Sequence, residues 1–333
     1  MSWPMTFWAI AEPWPGPAWQ NLFTLTWPGY RSWYLREGSA ARPDLATCRQ
    51  ALATHMPELL PAWHRMVELT GGNEMAARML TLYNPPAYLA GCSQAVYRGP
   101  APALVRNYDY APLLLERVVL GSAFCGRPVV GMNDCLWGLV DGMNDAGLTA
   151  SLAFGGRRVV GNGFGIPLVL RYVLEVCDTA AQARATLARL PVHMAYNVTV
   201  VDRGGDFFTA YLGPDRPPRF VAHPVATNHQ DRTDWPAQAQ ATHSLERYAA
   251  LTALVNDPLT DLDSLTARFL APPLYSTTYE LGFGTLYTAV YRPSELAVEY
   301  RWPGSSWRHS VPAFTSGEHS VVLGGQAAPQ APM

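Results

Sequence analysis

The sequence predicts a layered α+β fold with largely antiparallel sheets. Three observations carry that reading. Short strand-like segments recur in pairs around turn residues, paired helical stretches separate them, and a further strand pair follows near the end. Residues 1–40 are rich in Trp, Pro and other aromatics and show no period, so they are expected to cover another surface. Over residues 43–70, Leu45, Cys48, Leu52, Met56, Leu59 and Leu60 recur at three- and four-residue steps, which predicts a helix. A second helix is predicted over 73–83, stopped by Asn84-Pro85-Pro86.

The texture changes at Gly91. Segments 92–97 and 103–110 read as a hairpin around Arg98-Gly99-Pro100-Ala101-Pro102. Further strands are expected at 136–141, 147–155, 196–203, 206–213 and 219–226. The pair 285–291 and 296–302 is joined by Arg292-Pro293-Ser294-Glu295. Helices are expected at 167–177, at 178–190 behind an Asp178-Thr179 cap, at 244–255 and at 262–270. The organisation reads as a lead segment over 1–91, a main domain over 92–323, and a tail over 324–333 with the composition of disorder.

Composition narrows the function. With 49% hydrophobic residues in 333, a sizeable core can form. A formal net charge of −2 argues against nucleic acid or an anionic membrane as partner. There is no lysine, so Schiff-base chemistry is excluded. Five cysteines, an odd number with no C-x-x-C, predict free thiols in a reducing, cytoplasmic setting. They do not predict a zinc site, and no metal or cofactor is expected. Cys125, Cys135 and Cys177 read as core residues. No basic residue precedes Arg31, which argues against a secretory signal. No apolar run reaches the ~18 residues of a membrane span. Gly161-Asn162-Gly163-Phe164-Gly165 lacks the Lys-Ser/Thr of a phosphate-cradling loop.

Gly91-Cys92 is the most informative dipeptide. A cysteine opening a strand, followed by a hairpin and Arg106-x-x-Asp109, is the layout of a nucleophile that becomes a new N-terminus when the Gly91–Cys92 bond is cut. The motifs Gly91-Cys92-Ser93, Arg106-Asn107-Tyr108-Asp109, Asp141-Gly142-Met143-Asn144-Asp145-Ala146-Gly147-Leu148 and Ala226-Thr227-Asn228-His229 occur in that order. With them, the chain from Gly91 to about Gly304 resembles the N-terminal nucleophile cysteine amidohydrolases. It is most similar to the acyl-coenzyme A:6-aminopenicillanate acyltransferase family, and more distantly to the bile-salt and penicillin V hydrolases. The resemblance implies a four-layer αββα sandwich. It also implies a self-cleaving precursor, and hydrolysis or transfer of an acyl group at a linear amide.

These residue types suit that chemistry. Once N-terminal, Cys92 offers a thiol to attack and an α-amino group of pKa roughly 7.7–8.0 to move the proton. No partner histidine is then required. Gly91, lacking Cβ, tolerates a strained backbone at the cut. By the resemblance, Asp109 holds the new amino group and Asn228 donates to the oxyanion. Arg106 holds either Asp109 or the thiolate. Being an odd number of residues apart, Arg106 and Asp109 point to opposite faces of a regular strand, so a bulge is expected if both serve the site. Asn144 either assists at the site or shapes its Gly-rich turn. The family's late arginine has no match over 275–288, leaving Arg247 and Arg292 as substitutes.

The expected protein is therefore an autoprocessed cysteine amidohydrolase or N-acyltransferase that cleaves a non-peptide linear amide through a Cys92 thioester. Its partners are a small-molecule amide or acyl donor and its own N-terminal fragment, with homo-oligomer formation left open. A catalytically inactive relative serving as a binding or structural protein is the alternative, and predicts an intact chain with an unreactive Cys92. A third reading is an unprocessed hydrolase with His229 or His193 as base.

Overall fold

A computed structural model describes residues 2–324. The expected disordered tail, from 325 onward, lies outside the described residues. The chain opens with strand β1 (Trp3–Ala11) and helices α1 (Pro17–Tyr34), α2 (Leu45–His55), α3 (Leu60–Leu69) and α4 (Glu74–Leu80). Asp44 and Asn73 cap α2 and α4 by accepting from the backbone N–H groups of Thr47 and Ala76. The single helix expected over 43–70 is two. Met56 leaves helical geometry, and Pro57, which has no N–H to donate, starts a short 3-10 turn before α3.

Residues 1–40 are not the irregular cover expected. In β1, Met5, Phe7 and Ala9 are buried and alternate with outward residues. The outward set includes Trp8 and Ile10, so polarity does not mark the alternation.

The predicted hairpin is β2 (Gly91–Tyr97) and β3 (Ala103–Tyr110). Strands β4 (Val118–Ser122), β5 (Val129–Asp134), β6 (Gly138–Asn144) and β7 (Thr149–Phe154) follow, then helices α5 (Ile166–Val176) and α6 (Ala180–Arg189). Next come β8 (Tyr196–Val201), β9 (Phe207–Leu212), β10 (Arg219–Val221) and β11 (Val225–Ala226), then α7 (Pro236–Ala241), α8 (Ser244–Asn256) and α9 (Leu262–Phe269). The last strands are β12 (Gly284–Arg292), β13 (Ala297–Trp302), β14 (Ser305–Ser310) and β15 (Gly317–Leu323). Thr179 caps α6 as expected, accepting from Gln182. Strands β4, β5, β14 and β15 and helix α7 are additions to the predicted set.

Two sheets face each other. The larger runs β10-β9-β8-β7-β6-β5-β4-β1-β15 and the smaller β11-β2-β3-β12-β13-β14. Pairing is antiparallel apart from β1 on β4. Helices α5 and α6 cover the outer face of the larger sheet, and α8 and α9 that of the smaller. The arrangement is an αββα sandwich, with α1–α4 added at its side. The lead segment is tied into it: the Trp19 indole donates to the Leu136 carbonyl, and the Trp137 indole of the main domain donates to the Leu80 carbonyl of α4.

Phe7 shows how deeply β1 is built in. Its ring, fully buried, lies 4.9 Å from that of Trp302 and 6.4 Å from that of Tyr287, both on the opposite sheet. Phe7→Ala is expected to destabilise by about 3–5 kcal/mol, read as a lowered urea midpoint. A residue on a merely covering segment would cost about 0.5 kcal/mol or less.

Candidate active site

The site is laid out by the pleat of one hairpin. In the β2/β3 register Gly91 faces Asp109, Cys92 faces Tyr108, Ser93 faces Asn107 and Gln94 faces Arg106. Alternation then puts Cys92, Gln94, Arg106 and Tyr108 between the sheets. Gly91, Ser93, Asn107 and Asp109 go to the helix side. The β2/β3 register runs from Gly91 and Asp109 to Tyr97 and Ala103 without a bulge. The irregularity lies on β12, whose pairing with β3 shifts between Thr285 and Tyr287. Arg106 and Asp109 therefore keep opposite faces of β3, Arg106 at the Cys92 sulfur and Asp109 beside Arg247 and Thr285.

Between the sheets, Arg106 Nη2 lies 3.0 Å from Cys92 Sγ. Its Nη1 donates to Asp141 Oδ2 at 2.5 Å and to the Val140 carbonyl at 3.1 Å. The Tyr287 hydroxyl donates to Asp141 Oδ2 at 2.5 Å, and Tyr291 donates to Oδ1. The guanidinium is fully buried, yet its pKa stands well above the usual value. Burial works against the charge, and Tyr287, Cys92 and Asp141 outweigh it. Gln94 is occupied with Ser151 and the Asn197 carbonyl.

On the helix side, Arg247 of α8 grips the backbone of the same cysteine. Nη1 donates to the Cys92 carbonyl at 2.7 Å, Ser93 Oγ at 2.6 Å and Asp109 Oδ2 at 3.2 Å. Nη2 donates to Asn228 Oδ1 at 2.7 Å. The same oxygen accepts from the Cys92 N–H at 3.0 Å. Two donors on one atom fix it as the amide oxygen. Asn228 Nδ2 then points at the Ala90 and Phe154 carbonyls, at 3.3 and 3.2 Å. Asp109 accepts from Thr285 Oγ1 at 2.7 Å.

Burial governs the titration of these groups. It pushes the Cys92 thiol up to about 11, against the pull of Arg106. It raises Asp109 against the pull of Arg247 and Thr285, and lowers Arg247 against Asp109 and Cys92. In this state the thiol is protonated at neutral pH.

Gly91 sits close against the Phe283 ring, and its φ is not left-handed. A Cβ would stand 2.4 Å from the Phe283 ring and 3.1 Å from Asp109 Cβ.

Cys92, Arg106, Asp109 and Asn228 are thus brought together. Asn144 is not with them. Its Oδ1 accepts from the N–H groups of Ala146 and Leu148, and Nδ2 donates to the carbonyls of Leu174 and Cys177. All its capacity goes into shaping the turn and holding α5. Of the substitute arginines, Arg247 is in the site, while Arg292 sits 4.0 Å from Asp263 at the end of β12. Ser93, Asp141, Thr285, Tyr287 and Tyr291 were missed. The readable signal for Arg247 is its place with Ser244 and Leu251 on the buried stripe of α8, where a cation needs a partner. Burial lowers the pKa of both candidate histidines, His193 to about 4. Among the described residues, neither bonds to Cys92. No cluster of His, Cys, Asp and Glu there could hold a metal, and no helix is long and apolar enough to cross a membrane.

The sequence model of the acyl-coenzyme A:6-aminopenicillanic acid acyl-transferase family matches residues 97–307. The chain belongs to this family. The matched span takes in Arg106, Asp109, Asn228 and Arg247 and begins just after Cys92. Membership in the acyl-transferase family makes the chain an enzyme of the acyl-transferring class. Similar solved structures include penicillin V acylase from Agrobacterium tumefaciens, 14% identical, covering 66% of this chain and 86% of that one, with a TM-score of 0.47. A variant of the conjugated bile acid hydrolase from Clostridium perfringens is 10% identical, covers 69% and 97%, and has a TM-score of 0.48. The Caenorhabditis elegans ortholog of N-acylethanolamine-hydrolyzing acid amidase is 14% identical, covers 61% and 93%, and has a TM-score of 0.44. No curated protein sequence matches the chain.

In this acyl-transferase family member, Arg106→Gln is expected to raise the thiol pKa further, because the guanidinium is what pulls it down. The pH at which the Cys92 thiolate absorbance appears, read as a difference against Cys92→Ala while circular dichroism shows the chain folded, should move upward from about 11. An unmoved midpoint would show that the contact carries no charge coupling.

Proposed function

We propose that the chain is a self-processing cysteine amidohydrolase or N-acyltransferase with Cys92 as nucleophile, acting on a non-peptide linear amide. The observation that carries the reading is the hold on Cys92 from both sides. Arg106 meets the sulfur, while Asn228 and Arg247 hold the nitrogen and the carbonyl.

In this reading, processing runs through the same contacts. Sγ adds to the Gly91 carbonyl carbon and the Gly91–Cys92 C–N bond breaks. The thiol proton ends on the departing nitrogen, leaving a thioester. Water cleaves the thioester, releasing the Gly91 carboxylate and restoring the thiol. The new α-amino group lies within reach of Asn228 Oδ1, with Asp109 and Arg247 behind it. Departure of Ala90 frees Asn228 Nδ2 to donate to the oxyanion of an incoming amide. In turnover the same sulfur takes the acyl group, and the amino group passes a proton to the leaving amine. Water completes hydrolysis; a second amine completes transfer.

Intact-mass measurement under denaturing conditions tests this. Scaling 36.5 kDa by 91/333 and 242/333 gives pieces of about 10 and 26.5 kDa. Cys92→Ala should stay at 36.5 kDa. A wild-type chain that also stays whole sinks the self-processing reading. Because β1 is an internal strand, the two pieces should elute together on native gel filtration. Asn228→Ala, once processed, should turn over an amide about 10²–10³-fold more slowly, the usual cost of one oxyanion donor.

A further inference from the structure

A cavity of about 350 Å³ opens between α1 and residues 110–116. Its walls are apolar, with Leu25, Trp33, Tyr110 and Leu114 among them. Its floor carries Glu116 and Asp134, each only 9% exposed. Tyr30 bridges the two, donating to Glu116 and lying 3.2 Å from Asp134 Oδ1.

Structure accounts for part of this pair. Glu116 Oε1 accepts from the Leu136 N–H at 2.7 Å, and Asp134 Oδ1 from the Cys135 N–H at 2.9 Å. Those bonds pin a turn in which Cys135 and Leu136 take φ of 57° and 74°. Glu116 Oε2 accepts from Asn133. The Asp134 carboxyl also has the Cys135 thiol as a side-chain partner, but among the described residues no N–H or O–H donor reaches Oδ2 and neither carboxylate forms an ion pair. Burial and the Glu116 charge push the Asp134 carboxyl up to about 7. Two buried acids without a cation are costly, and a cation arriving from the cavity relieves the cost.

The cavity is linked to the nucleophile through two rings and the segment before the cut. Tyr110 lines it, and the Tyr110 ring lies 5.8 Å from that of Tyr108, the cross-strand neighbour of Cys92. The Arg106 guanidinium sits 4.9 Å over the same Tyr108 ring. Tyr88 lines it too, just upstream of Gly91. In self-cleavage the residues before the cut are the acyl part of the first substrate, so the cavity is on the acyl side of Sγ.

We infer that this cavity receives the substrate's acyl group, an apolar stem ending in a primary ammonium, with Glu116 and Asp134 as its counter-charge. The acyl-side assignment rests on Cys92 being the nucleophile; the cation site does not.

The test separates the two. Calorimetric titration of full-length Cys92→Ala protein with n-hexylammonium should give saturable binding about tenfold or more tighter than hexan-1-ol, the step expected of one charge-assisted contact. Asp134→Asn keeps an oxygen for Cys135 and removes the charge. Gly29→Leu fills the cavity from α1, where a Cβ meets nothing within 4 Å. Each should weaken hexylammonium binding tenfold or more, with folding checked by thermal melting. Equal binding of the amine and the alcohol, or undiminished binding in both folded variants, overturns the cation site. Processed wild-type enzyme is then given 6-aminohexanoyl and heptanoyl amides of one fluorogenic amine. A tenfold or greater kcat/KM preference for the ammonium supports the acyl-side assignment, and equal turnover overturns it. Hexylammonium binding with neither amide cleaved leaves the cation site standing and counts against the assignment of Cys92.

Discussion

A fully buried guanidinium and a fully buried carboxylate join the two sheets at the centre of the molecule. Arg106 comes from the smaller sheet and Asp141 from the larger, and both are at 0% side-chain exposure. Taking both charges out of water costs several kcal/mol per ion, which a single contact does not repay. Here Asp141 also accepts from two tyrosine hydroxyls, and Arg106 donates to two strand carbonyls and faces the thiol. Losing either partner leaves the other buried and uncompensated, a change of about 3–5 kcal/mol. The pair therefore fixes how the sheets sit, and with them the position of Cys92.

The second arginine acts differently. Arg247 touches no atom of the Cys92 side chain in its hydrogen bonds; it holds the carbonyl, the next hydroxyl, Asp109 and Asn228. One guanidinium thus sets the backbone and the other meets the sulfur. A lysine, with a compact ammonium, could not span four such acceptors in one plane. The lysine-free composition costs this site nothing.

The β2/β3 hairpin was legible because Pro and Gly mark its turn and its strands keep a regular alternation. With it came Cys92, Arg106, Asp109 and their opposite faces. β1 was not legible, because its outward positions are as apolar as its inward ones. β14 was missed for the converse reason: Ser305, Ser306, Arg308 and Ser310 give an edge strand a polar texture. Asn144 shows a different limit. Its motif was readable, but a turn-shaping amide and a substrate-facing one look alike in sequence. Which it is depends on where α5 ends, a long-range fact. Arg247 was reached only as one of two stand-ins for the family's late arginine, because nothing local distinguishes it from Arg292 or points to its four acceptors.

The first strand described and the last are direct neighbours: Trp3 pairs with Leu323 and Ala9 with Gly317. Between them lies nearly the whole chain. As the polypeptide emerges from the ribosome, one edge of β1 has no partner until residues 317–323 are made. Loop closure over that span is entropically expensive, and such long-range pairings form late. The larger sheet therefore gains its outermost strand only once residues 317–323 are made, and until then β1 is an uncovered edge, open to other strands.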